Sequence, residues 1–277
     1  MTEVRPLSKS VREAGISFLK NTLSVAACTM FFVCNAAARE QMPDEEHEQE
    51  EIGTRIGPYL INANLAILSD YVSRGFTQTS SDPAVQGEFK ITRGPVFIGT
   101  WASNMNLQEC THCVHLTSEF DIYAGLKKEI VGLNFELQTM YVAYPGGDTV
   151  DEPYNYWEYK FSVDRDFTDY LNLGVAFYYS PNYSLDTGTN WVYELNGELE
   201  LPKVGIFSPA ISGEIAYQDG NVDRGGIEYW YWNMGLELGF AKHYKIDLRY
   251  HDTFDVEEDD CVGQCGSRFV AALKGEF

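Results

Sequence analysis

Long apolar runs are missing from this chain beyond residue 38; nothing there approaches the roughly 20 apolar residues that a membrane-crossing helix needs. Basic charge is also scarce, since 20 Lys and Arg stand against 41 Asp and Glu, for a formal net charge of −21. That balance excludes nucleic acid as a partner, because phosphates need a basic surface. It argues equally against a polybasic grip on an anionic lipid face. Catalytic motifs are lacking too. The one suggestive pair, His251-Asp252, is adjacent in sequence, and on a strand adjacent side chains point apart. The expectation is a non-enzyme without a cofactor.

The first 38 residues read as an export signal. Lys9, Arg12 and Lys20 precede an apolar stretch at 22–34, and Ala36-Ala37-Ala38 offers small residues for cleavage after Ala38. A lipobox-like Val25-Ala26-Ala27-Cys28 is a rival reading, although the apolar run continues past Cys28. Residues 39–58 follow as a tail. Its acidic part at 40–51 cannot bury enough apolar surface to order itself.

Tyr (18), Phe (16) and Gly (24) are plentiful, which leans towards β structure. From residue 59 to 277 apolar and polar residues alternate in segments of about 10, the period of a strand with two different faces. In 114–126, Leu116, Phe120, Ile122 and Leu126 oppose His115, Glu119, Asp121 and Tyr123. In 154–163, Trp157, Tyr159 and Phe161 oppose Glu158 and Lys160. Similar segments occupy 130–143, 190–200, 228–240 and 243–251, and weaker ones 60–74, 83–92, 95–104, 169–180, 208–218 and 267–277. Both registers of 95–104 carry apolar residues, so its facing stays open. Together they predict an all-β, up-and-down antiparallel barrel of about twelve transmembrane strands in the bacterial outer membrane.

The links sort by length. Arg93-Gly94, Lys127-Lys128-Glu129, 164–168, 202–207 and Ala241-Lys242 are short, whereas 75–82, 105–113, 144–153, 181–189, 219–227 and 252–266 are mostly longer and polar. Short inner turns alternating with longer outer loops is the outer-membrane pattern. The terminal Phe277 resembles the signal that the barrel assembly machinery reads. Tyr141, Tyr144, Tyr154, Tyr156, Tyr178, Tyr179, Tyr229, Tyr231 and Tyr244, near strand ends, suit interfacial girdles.

Residues 69–89, SDYVSRGFTQTSSDPAVQGEF, resemble the opening of a proteobacterial porin family labelled TorF-like or Gcw_chp. Trp101-Ala102-Ser103-Asn104, Glu119-Phe120-Asp121-Ile122-Tyr123-Ala124-Gly125, Tyr144-Pro145-Gly146 and Tyr178-Tyr179-Ser180-Pro181 extend the match across most of the mature chain. The resemblance implies an outer-membrane, porin-like barrel.

The polar faces are too charged for a dry core and are expected to line water. The pore-lining candidates are Arg74, Glu88, Lys90, Glu119, Asp121, Glu136, Glu158, Lys160, Glu194, Glu198, Glu214, Glu237, Asp247 and Arg249, with Lys245 and Arg268 on the same face. Acids outnumber bases there, which predicts a mild cation preference in a passive channel for small hydrophilic solutes. The rival is a non-conducting barrel with a structural or surface-interaction role, its lumen plugged by paired charges. Twelve strands lie between barrels filled by side chains and open porins.

Cys110, Cys113, Cys261 and Cys265 fall in outer loops. Export through an oxidising compartment favours disulfides, either local or loop to loop. His112 and His115 keep a Zn site open, and free thiols are the third reading. The acidic run Asp255, Glu257, Glu258, Asp259 and Asp260 reads as a solvated loop; lacking the EF-hand order, it is at most a weak divalent-cation bridge to lipopolysaccharide.

Overall fold

The computed structural model describes residues 52–109, 114–146, 153–261 and 263–277. The export signal, the acidic part of the tail, Cys110, His112 and Cys113 lie outside the described residues.

The strands are β1 (Thr54–Ile56), β2 (Tyr59–Leu68), β3 (Val72–Ser73), β4 (Phe76–Thr77), β5 (Ala84–Arg93), β6 (Val96–Glu109), β7 (Val114–Ile130) and β8 (Leu133–Ala143). They continue as β9 (Tyr156–Thr168), β10 (Leu171–Ser180), β11 (Asn190–Glu200), β12 (Ser208–Gly220), β13 (Glu228–Phe240), β14 (Tyr244–Phe254) and β15 (Arg268–Glu276). Each strand from β5 to β15 pairs antiparallel with the next, and β2 pairs with both β5 and β15. Twelve strands thus close into a ring, with the β3–β4 hairpin outside that sheet. Closure matters because a sheet edge has no hydrogen-bond partner in lipid.

The alternation sorts environments as the sequence predicts. Leu65, Ile67, Phe89, Ile122, Leu137, Trp157, Phe161, Leu195 and Leu273 are large, apolar and exposed on the outer wall. Their neighbours in sequence turn inward, and Glu119, Asp121, Glu158 and Asp247 are buried there. The ambiguous strand β6 resolves with Val96 and Ile98 outside and Phe97 buried inside. Phe97 and Tyr123 fill the space left by Gly125 and Gly99, the glycine opposite each ring.

Several expectations are corrected. The first strand stops at Leu68 rather than residue 74. Residues 54–56, placed in the tail, form β1 and pair with the start of β2, where the stagger of the barrel leaves its edge open below Phe277. Lys127-Lys128-Glu129 continue β7, and the turn falls at Val131-Gly132, with φ of 54° and 72°. Two consecutive positive φ values are the signature of a tight type I′ hairpin, and this removes Val131 from the apolar face of β8. Likewise residues 164–168 belong to β9, and β10 begins after Tyr170. Strands β6 and β7 run on to Glu109 and from Val114, so most of the expected 105–113 loop is strand. A bulge between Asn104 and Leu107 re-aims their upper ends. There Leu116, assigned to the lipid side, is buried with Met105, Leu107 and Tyr154.

The tyrosine girdle is also revised. Tyr141, Tyr179 and Tyr244 do stand outside, in cross-strand pairs such as Tyr179–Trp191, with ring centroids 4.3 Å apart. Tyr154, Tyr156, Tyr229 and Tyr231 are buried instead. Tyr156 shares the strand face of Glu158, so the alternation already held the signal.

Candidate functional site

The segment between β2 and β5 does not project outward as a loop. It bends into the barrel at the long-loop end, and its tip, Arg74-Gly75, closes the β3–β4 hairpin with φ of 49° and 82°. Gly75 sits against the wall. A Cβ there would lie 2.3 Å from Thr253 Cγ2 and 2.9 Å from Tyr231 Cβ.

The base of this segment is knotted on Asp70. Its Oδ1 accepts from the Thr77 and Thr79 hydroxyls, the latter at 2.9 Å, while Arg268 Nη1 donates to Oδ2 at 3.1 Å. Thr77 N–H donates to the Gln264 carbonyl and Asn106 N–H to the Gln78 carbonyl, each at 2.9 Å, so the segment is tied to β6 and to the last loop. Asp70, Thr77 and Thr79 are all buried. Burial is tolerable because each polar group has a partner.

The tip reaches the far wall. Arg74 Nη2 donates to both Glu158 oxygens at 2.7 and 2.6 Å. Ser180 Oγ donates to the same carboxylate at 3.2 Å, and the guanidinium lies 5.5 and 5.8 Å from the ring centroids of Tyr178 and Tyr183. Around the ring β9 is about as far from β2 as a strand can be, with β5 to β8 between them on one side and β10 to β15 on the other. The hairpin therefore crosses the bore. Burial works against the Arg74 charge, but the Glu158 carboxylate outweighs it and holds the guanidinium pKa above its ordinary value.

Two further contacts seat the hairpin. Tyr229 Oη donates to the Arg74 carbonyl at 3.0 Å while Phe76 stacks on the Tyr229 ring at 4.9 Å. On the other flank Tyr71 packs against Trp101 and donates to Glu119 at 3.2 Å. Burial first, then the Glu119 and Asp121 carboxylates, raises the Tyr71 hydroxyl pKa well above its ordinary value, so it stays a donor.

Away from the hairpin the charges fall into two classes. Lys160 meets Glu136 at 3.0 Å, Arg249 meets Glu237 and Asp247 at 3.3 Å each, and Lys245 meets Glu276 at 3.0 Å. Lys274, not among the expected pore residues, joins this group at 2.7 Å from Asp247. Other carboxylates are held by neutral donors: Glu88 by Tyr123 and Asn64, Glu194 by Asn196, Glu214 by Asn233. Lys90 and Glu198 lie on the same inner faces, at Asn62 and Ser212 in the pairing register. A polar cavity of about 290 Å³ opens between Glu136, Lys160, Asp164, Asn172 and Glu194.

The remaining candidates are placed as follows. The structure joins Cys261 to Cys265 in the last loop, beside the Gln264 carbonyl that anchors Thr77. His115 pairs with Asn106. Among the described residues no three His, Cys, Asp or Glu side chains converge as metal ligands. His251 falls on the inner face opposite Asn233, and Asp252 on the outer face opposite Trp232.

Residues 53–273 match the family described as a bacterial protein of unknown function (Gcw_chp). The chain belongs to the Gcw_chp family. The match includes the hairpin, Glu158 and the pairs on β13 and β14. None of the curated proteins matches the Gcw_chp chain significantly. Solved structures similar to it include an outer membrane channel from Pseudomonas putida F1, with 11% identity, a TM-score of 0.47, and 82% of this chain and 97% of that one covered. The NanC porin aligns with 10% identity and a TM-score of 0.46 over 78% of this chain and 98% of that one. A porin refined at 1.8 Å resolution gives 12% identity and a TM-score of 0.37, and the chain covers 62% of its length. At such identities the likeness concerns the fold alone.

Proposed function

We propose that this Gcw_chp barrel is an exported outer-membrane channel of Gram-negative bacteria. It passes small hydrophilic solutes passively, with a mild cation preference, and uses neither cofactor nor covalent chemistry. The observation that carries this reading is the division of lumenal charge. The cations Arg74, Lys160, Arg249 and Lys274 each sit beside a carboxylate, while Glu88, Glu119, Glu194 and Glu214 are held by neutral donors. The inner field is therefore negative, and a low-dielectric wall focuses it. The pore-lining set is read as Glu88, Glu194, Glu198, Glu214 and the paired groups, with the hairpin as the narrowest level.

The crossing hairpin favours a second reading, a barrel closed at its long-loop end that serves the cell surface, facing lipopolysaccharide. Conductance of purified protein in planar bilayers separates the two. Discrete steps with a cation-positive reversal potential under a salt gradient support the channel, whereas silence in the wild type and in a variant lacking residues 72–77 sinks it. Phe277 pairs with Ala63 at the seam where the ring closes.

A further inference from the structure

An apolar groove of about 730 Å³ opens on the outer wall at the short-turn rim, lined by Pro58, Tyr59, Ile91, Arg93, Val96 and Ile98. It exists because the Gly94-Pro95 turn carries no bulky side chain and Phe97 is spent inside the barrel. Arg93 lies at its lower edge with the guanidinium 5.5 Å from the Tyr59 ring centroid. Lys128 lies nearby on β7, two residues closer to the turn than Leu126. Val96 pairs with Leu126, the Lys127 N–H donates to the Pro95 carbonyl at 2.7 Å, and Lys128 follows Leu126 on the outer face. Two strand spacings and two residues along β7, about 12 Å between backbones, separate Arg93 from Lys128, within joint reach of one phosphate when both long side chains lean together. Both are exposed. Among the described residues neither makes an ion pair, unlike most of the lumenal cations.

We propose that this groove binds one anionic phospholipid. Its phosphate sits between Arg93 and Lys128, and an acyl chain runs along Tyr59, Val96 and Ile98. Tyr59 supplies the amphipathic ring that favours the headgroup level. A zwitterionic lipid brings its own ammonium group, which the two cations repel, so a net negative headgroup is preferred. The chain-wide charge of −21 does not decide the matter, because screening confines each charge to about 10 Å. The site needs the barrel in lipid but not a conducting lumen.

The test is native mass spectrometry of detergent-purified protein offered equal phosphatidylglycerol and phosphatidylethanolamine. The wild type is compared with Arg93→Ala/Lys128→Ala and with the rim control Arg165→Ala/Lys203→Ala. Wild type and control retain phosphatidylglycerol preferentially, and the groove variant retains about thirtyfold less, as two interfacial cations supply. Equal retention by the groove variant, or no headgroup preference in the wild type, overturns the proposal. Should the variant not fold, the wild type alone decides. Its unfolding temperature rises in micelles doped with phosphatidylglycerol and not with phosphatidylethanolamine; equal shifts refute the site.

Discussion

Arg74 and Glu158 meet on the opposite side of the barrel from the strand that leads into Arg74, with Nη2 2.6 Å from Oε2. Glu158 is buried and Arg74 largely so, at 3% and 15% side-chain exposure, and the pair is shielded from the screening that weakens surface bridges. This bond turns a connecting segment into a bar across the bore.

Removing one partner leaves a buried charge uncompensated, which costs about 3–5 kcal/mol. Glu158→Gln should therefore release the hairpin tip, raise single-channel conductance and lower the unfolding temperature. Arg74→Leu combined with Glu158→Met should be far less destabilising than the sum of the single changes. Additive losses in a double-mutant cycle would show that the two residues do not act as a pair.

Gly75→Ala places a methyl group against Thr253 and Tyr231 in a backbone with φ of 82°. The hairpin should lift from the wall, and protease added to the long-loop side should cut within 72–77 faster than in the wild type. Gly57→Ala has φ of 58° with open space around it, and it should leave that cleavage rate unchanged.

Selectivity should follow the carboxylates held by neutral donors. Glu194→Gln and Glu214→Gln each remove a negative charge without stranding a cation, so the reversal potential should move towards zero. Glu136→Gln frees Lys160 from its partner at 3.0 Å and should shift it further towards anions. Unchanged potentials in all three would place the selecting charges elsewhere.

Mass spectrometry with and without reductant should show a hydrogen pair gained at Cys261–Cys265, the bond that the structure forms. Cys261→Ser/Cys265→Ser should keep the barrel, because the bridge lies in a loop. It should loosen the Gln264 carbonyl from Thr77 and raise amide exchange in the hairpin.

The positions of most strands and the facing of Glu119, Asp121, Glu158, Glu194 and Arg249 were legible in the sequence. A strand has a period of two, and lipid outside with polar groups inside writes that period into the residues. The exact turns were less legible, since Lys127 to Glu129 look like a link yet extend β7 beyond the apolar belt. Nothing local marks the end of a strand that leaves the membrane while still paired.

The sequence by itself determined the all-β class, the number of barrel strands, the side each clear segment shows to lipid and the excess of acid inside. Each depends on neighbours a few residues apart. Only the tertiary structure decided that residues 69–82 fold inward, that Arg74 answers to Glu158, 84 positions away, and that Tyr59, Arg93 and Val96 line one groove. Those relations arise when a closed ring sets distant strands face to face, and no local pattern encodes such distances.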